Sequence, residues 1–584
     1  MYMLDDILSH IRLEEITQHI RWMVENTPYR MADSADERRA AEYVTDQLSS
    51  YGLDAKILKF NTYNSFPQTS HMKILSPEPM VIDSLPCGHI VSTAPDGEEL
   101  ELVFVGNGGY PDYEGLNIAG KAVLVEVSYA PAVPEKARIA AEKGARAMVC
   151  MNWGSGQHVI CHRALKAVWG NPTRETLNRI PQLIGVGVTQ DDGRMLRDWC
   201  RSGQTVRIRL AAQSPTKWSQ VCQPFGILRG NGKSDQMIVV GSHIDAWKPG
   251  VTCNATGNAT TMQIAKVLSR FRDQLDRDVW FVFWNGHEIA EAAGSTWMVD
   301  NFWDELNKRC VAYFNIDSTG MGEATLYEIK TSAEYRDFTV ANARSLLTEE
   351  LRVQNLTKIG DQSFLGIGVP GTAQRMSYTK EYMEANCGAT LGWWNHTSED
   401  SFDKYSPENI LKDTRVLTAL IYRVSVAKVL PYDFTEKFQS VASKLHTCQE
   451  SYGSYLDLDD IITNIQTVRT YIQKLQAVRE EVSGHRAELL NTFLMQVARQ
   501  TTNIFQTYAD KYQQDSYGFS KLSKPIPLLA DLELLPDLDP NSFTYGMIHT
   551  ELVKNKNRIN DGLHNLLILG RMCCELILGE VIEK

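Results

Sequence analysis

Four short segments hold residues able to bind a metal ion or move a proton. They are GSHIDAW with His243 and Asp245, GVTCNATGNAT with Cys253, FWNGHEIAEAAGS with His287 and Glu288, and FNIDSTG with Asp317. A fifth, WWNHTSEDSFDKYSPE, adds His396 and Asp400. Imidazole, carboxylate and thiolate are the donor types that bind zinc and similar transition metals. An ion so held, with one position open, ionises water near neutral pH and supplies a hydrolytic nucleophile. Taken singly, each residue has a plainer explanation. A lone histidine at a strand end more often packs or hydrogen-bonds, Cys253 suits a small buried hydrophobe, and Glu288 suits a helix N-terminus. Their coincidence at the ends of consecutive elements is what points to a metal site.

Those elements are legible as hydrophobic runs. MIVVGSH, VWFVFWNGHE and VAYFNIDSTG read as apolar strands that end in polar residues, and the first leads into a helix from about Ala255 to Phe271. A parallel α/β sheet carries its site at the carboxyl ends of such strands. Before them, Leu13 to Gly52 reads as two helices, and LDAKILKFNTY as an alternating strand. Residues from about Pro86 to Ser214 are β-rich, with a helix from Pro134 to Lys143. After Pro431 the strand signal vanishes. Leu458–Val482 and His485–Tyr512 have helical spacing, Pro525 to Pro540 bound a stiffer break, and a last helix runs from Ile548 to Glu580, interrupted near Gly562 or Gly570. The expectation is an α/β fold with a mixed, mostly parallel sheet, a β-rich inserted domain and a C-terminal helical domain. Residues 1–85 with 216–430 would form the catalytic domain, 86–215 the insertion and 431–584 the helical domain.

Composition narrows the class. A chain of 584 residues is several domains long. Hydrophobic residues at 43% and charged residues at 22% fit a globular protein and exclude a disordered one. With 59 basic against 71 acidic side chains, the net charge of −12 does not suit phosphate-backbone binding, so no nucleic-acid partner is expected. The opening MYMLDDILSHIRLEEITQHI has no signal-peptide pattern, and no run of 18 apolar residues predicts a membrane span. Eleven scattered cysteines, an odd number, point to a reducing, cytoplasmic setting.

Together the motifs resemble the co-catalytic zinc exopeptidases of the aminopeptidase type (peptidase clan MH), in particular the branch containing glutamate carboxypeptidase and the transferrin receptor. The likeness covers most of the chain. YRMADSADERRAAEYVTDQLSSYGLDAKILKFNTY is similar to the family's opening helix and strand. GLNIAGKAVLVEVSYAP, KARIAAEKGARAMVC and IPQLIGVGVTQDDGRML resemble an inserted protease-associated domain. GDQSFLGIGVP is similar to a family loop, and the helical tail resembles a dimerisation domain. The resemblance implies hydrolysis of an amide or peptide C–N bond, one or two divalent transition-metal ions with zinc as first choice, and a homodimer through the tail. It matches His243 and Asp317 to ligands of one metal, Glu288 and His396 to ligands of the other, and Asp245 to the carboxylate that orients its neighbours.

Three positions depart from the family pattern. Cys253 stands at the bridging aspartate, His287 at the general-base glutamate, and Asn395 at a tyrosine preceding the last histidine. One explanation is a metallohydrolase with Cys253 as a thiolate ligand and His287 as base, a role its ordinary pKa suits. Others are a Cys253–His287 nucleophile–base pair without bridging metal, a non-catalytic binding or receptor-like relative, and a metallohydrolase of non-peptide amides. The retained His243, Glu288, Asp317 and His396 favour a metal site. Trp247, Trp394 and Asn395, with Trp393, are expected at the substrate pocket, and Arg375 or Lys380 could meet a substrate carboxylate.

Overall fold

The computed structural model describes residues 2–153, 159–358, 360–515 and 524–579. The helix Ala35–Ser50 starts at Ser34, whose side chain accepts from the Glu37 backbone N–H, and buries Ala40, Ala41, Val44 and Leu48 on one face. Gly52, at φ +80°, then turns the chain into the strand Asp54–Ser65.

That strand begins an eight-stranded sheet ordered Asp54–Ser65, Thr216–Leu228, Asp278–Trp284, Met237–His243, Cys310–Asn315, Gly371–Ser377, Leu326–Thr331, Leu351–Asn355. The first pair is antiparallel over its whole length, from Asp54 opposite Ile227 to Ser65 opposite Thr216. The four central strands, Asp278–Trp284 to Gly371–Ser377, are mutually parallel. Every residue of Met237–His243 is buried, as befits a strand covered on both faces. The fold is thus α/β with a mixed sheet, and the strands carrying the chemistry-bearing residues run side by side.

A second eight-stranded sheet shares no strand with the first. It has its own core, including Val123, Leu124, Val149, Ile184 and Val186. Two of its strands precede residue 86: Thr69–Ser76, which pairs with Val206–Gln213, and Met80–Ile82, which pairs with Thr69–Ser76.

The remainder is helical: Thr435–Tyr452, Asp459–Ala477, His485–Phe505, a 3₁₀ run Pro527–Asp537, and Phe543–Leu578. The last helix is uninterrupted, contrary to the expected break near Gly562 or Gly570; the expected end at Glu580 lies outside the described residues. Both glycines serve packing instead. A Cβ at Gly562 would stand 2.9 Å from Ile504, and one at Gly570 would stand 2.7 Å from Tyr471, so their absence lets helices approach closely. These helices share one continuous hydrophobic core with the α/β layer, joining Phe314, Leu420 and Tyr432 to Leu445, Val497 and Leu563. Buried Arg499 fastens them further, donating to the carbonyls of Leu306, Asn307, Cys310 and Gly368. Among the described residues, no helix is long and apolar enough to cross a membrane.

One buried carboxyl makes stability pH-dependent. Glu37 accepts from Cys222 N–H at 2.7 Å and from the Asn285 amide, but its other oxygen has no partner. Burial pushes its pKa from 4.5 to about 8. A folded pKa above the unfolded one means stability is full below about pH 4.5 and is lost as pH rises through about 8. Glu37→Gln keeps the accepting oxygen and removes the titration. The wild-type urea midpoint should therefore fall between pH 5 and pH 8 more steeply than the variant's, and equal slopes would refute this reading.

Candidate metal centre

His243 ends one central strand, Glu288 follows the next, and Asp317 follows a third. Cys253 lies in the turn that opens into the helix Thr256–Ser269, and His396 lies in an irregular stretch with its own φ at +61°. These five residues converge. Cys253 Sγ is 3.3 Å from Glu288 Oε1, 3.5 Å from His396 Nε2 and 3.7 Å from His243 Nε2. His243 Nε2 is 3.4 Å from Asp317 Oδ1, and His396 Nε2 is 3.1 Å from Glu288 Oε2. The donors form two triads, His243–Cys253–Asp317 and Cys253–Glu288–His396, each with its atoms within 4.8 Å of one another. Cys253 belongs to both.

Buried polar groups hold these donors in place. Asp245 accepts from the backbone N–H of His287 at 3.2 Å and of Glu288 at 3.0 Å. Its carbonyl takes the Nδ1 proton of His243 at 2.8 Å, which leaves Nε2 turned to Asp317 and Cys253. Asp400 accepts three bonds, from Thr252 N–H, Thr252 Oγ1 and Cys253 N–H, and so anchors the cysteine's backbone. The fully buried Arg30 donates to the carbonyls of Ile244, Pro249 and Gly250, bracing the loop between His243 and Cys253. On the far side, His396 Nδ1 lies 2.9 Å from Arg163 Nη1 and 3.3 Å from the His162 carbonyl.

The electrostatics are those of charges drawn out of water. Burial would raise the Glu288 carboxyl, but the His396 and His243 imidazoles outweigh it and hold the pKa at about 2. Asp317 is likewise held well below the ordinary range, against burial, by His243 and Arg375. Burial and His287 oppose charge on His243, yet Asp317 and Glu288 raise it. Burial, followed by the charges of Glu288, Asp317 and Asp400, pushes the Cys253 thiol well up. Burial lifts Asp245 to about 6. The thiol has one proton, and Glu288 Oε1 at 3.3 Å accepts it. An N/S/O donor set around a buried sulfur, with two carboxylates already ionised, fits a divalent transition metal.

His287 stacks on His243, with ring centroids 4.0 Å apart at 13°. Its Nδ1 lies 2.9 Å from Asp361 Oδ2, an ion pair bent away from a straight hydrogen bond. Burial opposes its charge, but Asp361, Glu288 and Asp245 raise it well above its ordinary value. Cys253 Sγ thus faces His243, Glu288 and His396, while His287 turns to Asp361, which disfavours a Cys253–His287 pair. A cavity of about 150 Å³ adjoins the centre, lined by Arg163, Trp247, His287, Glu288, Glu291 and His396 among others.

The aromatic expectations divide. Trp247 reaches the cavity and stacks on His162 at 4.4 Å. Trp394 is buried and donates to Thr252 Oγ1 at 3.1 Å, so it supports the Cys253 loop from behind. Asn395 is buried with neither amide atom bonded. Arg375 donates to the Asp317 carbonyl at 3.2 Å, whereas Lys380 is exposed beside Glu384. Two site residues escaped the motif reading, Asp361 and Arg163. Asp361 is buried and takes a hydrogen bond from Ser295 Oγ at 2.9 Å; its one signal was its place in GDQSFLGIGVP. Asp400→Ala would orphan three donors, so chemical denaturation should show a loss of about 3 kcal/mol. A loss below about 1 kcal/mol would show that the Cys253 turn does not depend on this anchor.

The model of peptidase family M28 matches residues 226–421. Mouse (Mus musculus) aminopeptidase NAALADL1 is 24% identical over 301 residues, which cover 45% of this chain and 39% of its own length. A probable glutamate carboxypeptidase of Zea mays is 22% identical over 323 residues, covering 50% and 44%. A Schizosaccharomyces pombe protein named an inactive zinc metalloprotease is 25% identical over 248 residues, covering 39% and 30%. The match spans less than half the length of each of these relatives. The solved aminopeptidase from Aneurinibacillus sp. strain AM-1 shares the fold, with a TM-score of 0.54 at 21% identity over 71% of this chain and 95% of that one. The stretch that matches the peptidase family M28 model, residues 226–421, supplies all five converging donors.

Proposed function

We propose that this chain is a metal-dependent hydrolase of the aminopeptidase type, cleaving an amide or peptide C–N bond at the centre around Cys253. The membership of Cys253 in both donor triads carries the reading. His243, Asp317 and Cys253 would hold one divalent ion, and Glu288, His396 and Cys253 a second, with zinc suited to both sets. Bound metal supplies a polarised carbonyl, water of lowered pKa and positive charge that returns His287 to its neutral, basic form. His287 Nδ1 is engaged by Asp361, which leaves Nε2 as the atom that accepts the water proton and passes it to the leaving nitrogen. Asp245 keeps His287 and Glu288 in register through their backbone N–H groups. The small adjoining cavity suits a small substrate side chain.

The wider reading is a catalytic unit interrupted by an inserted one with its own sheet, followed by the helical segment 431–584, in a homodimer. Ile568, Met572 and Leu576 support the dimer, since they stand exposed at i, i+4 and i+8 on the last helix. Eleven scattered cysteines, with no disulfide among the described residues, support a reducing, cytoplasmic setting.

A second reading, a non-catalytic binding relative, draws on the exchanges at Cys253, His287 and Asn395. Elemental analysis with a panel of aminoacyl anilides and dipeptides separates the two. Hydrolysis that depends on bound metal supports the enzyme, and metal without turnover of any amide supports the binder. Cobalt-loaded protein should show near-ultraviolet thiolate-to-metal absorption that Cys253→Ala abolishes; a band that persists excludes Cys253 as a ligand. His287→Ala should cut kcat by about 10²–10⁴ with metal content intact. If metal is lost with the rate, His287 is a ligand and not the base.

A further inference from the structure

Glu291 follows the donor Glu288 by three residues and lines the cavity of about 150 Å³ that adjoins the metal centre. Its backbone is held in the left-handed region, at φ +50°, just ahead of the helix Ala293–Asn301. Its carbonyl accepts from Gly170 N–H at 2.8 Å. Buried Lys166 donates to the carbonyls of Gly170 and Ala290, so the turn that carries Glu291 is tied to the inserted segment.

The Glu291 carboxylate keeps accessible surface, and among the described residues it takes no hydrogen bond and forms no ion pair. Lys166 attracts it from beyond contact, but that ammonium is sealed from solvent and spends its hydrogen bonds on the two carbonyls. The other charged side chains lining the cavity are engaged. Glu288 pairs with His396, His287 with Asp361, and Arg163 lies over the Trp153 ring with Nη1 at His396 Nδ1. Burial raises the Glu291 carboxyl, and an arriving ammonium would favour its ionised form. The wall beside it is short and aliphatic, with Ala132, Val133, Pro134 and Ala292, which suits the methylenes of a charged side chain.

Position decides which ammonium. The α-amine of an amino-terminal residue is one carbon from the scissile carbonyl and stays among the metal donors. Glu291 forms no hydrogen bond or ion pair with any donor, which places its carboxylate for a group further along the substrate. We propose that Glu291 is a specificity residue, receiving the terminal ammonium of a short, unbranched side chain on the substrate residue that enters this cavity. The orientation of that residue rests on the hydrolase reading; the pairing with Glu291 does not.

Calorimetric titration of the zinc-loaded protein with ornithine and with norleucine tests the pairing. The two share an α-amine, a carboxylate and a three-carbon stem, and differ in a terminal ammonium against a methyl. The wild type should bind ornithine about tenfold more tightly, and Glu291→Gln should bring the ratio near unity. A wild type without preference for ornithine overturns the proposal. So does a ratio unaltered in Glu291→Gln, since the carboxylate would then meet the shared α-amine or nothing. Ornithyl and norleucyl anilides keep the two readings apart: a Glu291-dependent preference for ornithine without turnover of either anilide refutes the hydrolase and upholds the site. Should Glu291→Gln fail to fold by circular dichroism, Glu291→Ala decides by the same ratio.

Discussion

The Cys253 sulfur stands buried between the Glu288 carboxylate and the His243 and His396 imidazoles, and much of the α/β layer is arranged to bring those groups there. Two ionised carboxylates, two imidazoles and a thiol do not gather out of water at no cost; each needs compensation within the protein. That compensation is visible in the surrounding groups. Asp245 and Asp400 spend their oxygens on backbone N–H groups of the donor-bearing segments, and Arg30 caps three carbonyls of the loop between two donors. The parallel central strands set the spacing, and these buried polar groups set the final orientation.

The helical segment contributes to this rigidity although it offers no donor. Its core is continuous with that of the α/β layer, and Arg499 reaches the carbonyl of Cys310, the first residue of the strand that leads to Asp317. Gln514 donates to the Ser363 carbonyl, and Ser363 shares a hydroxyl network with Ser295 and Thr296. Ser295 in turn holds Asp361. A path of packed and hydrogen-bonded groups thus runs from the helices to the residue facing His287. Removing the helices would expose apolar surface and also free that carboxylate.

Much of this was legible in the sequence, for identifiable reasons. The three apolar strands and their polar ends announced themselves because a strand covered on both faces must be continuously hydrophobic. Residues at those ends needed no long-range inference. The second sheet's first strands at Thr69 and Met80 were not seen, because Thr69–Ser76 joins that sheet through Val206–Gln213, more than a hundred residues away, and Met80–Ile82 pairs only with Thr69–Ser76. Asp361 was missed for a similar reason: 74 positions separate it from His287, and a lone carboxylate in a loop carries no periodicity. Trp394 was read by its neighbour His396, but the two side chains of a turn need not face the same way. Glycines in the final helix read as breaks because propensity cannot reveal a neighbour such as Tyr471 pressed against Gly570.

The exchanges from the family pattern are coupled by charge. A glutamate base carries one negative charge beside the metals, and His287 in its neutral form carries none. Asp361 restores that charge one residue further out, 2.9 Å from His287 Nδ1, and is itself held by Ser295. A neutral imidazole with its carboxylate would therefore equal in charge the glutamate of the family pattern, with a nitrogen in place of an oxygen. At the bridge, a thiolate for a carboxylate keeps the single negative charge and gathers it on one polarisable atom instead of two oxygens. Were divalent ions to bind there, both exchanges would keep the charge available to them while changing its distribution.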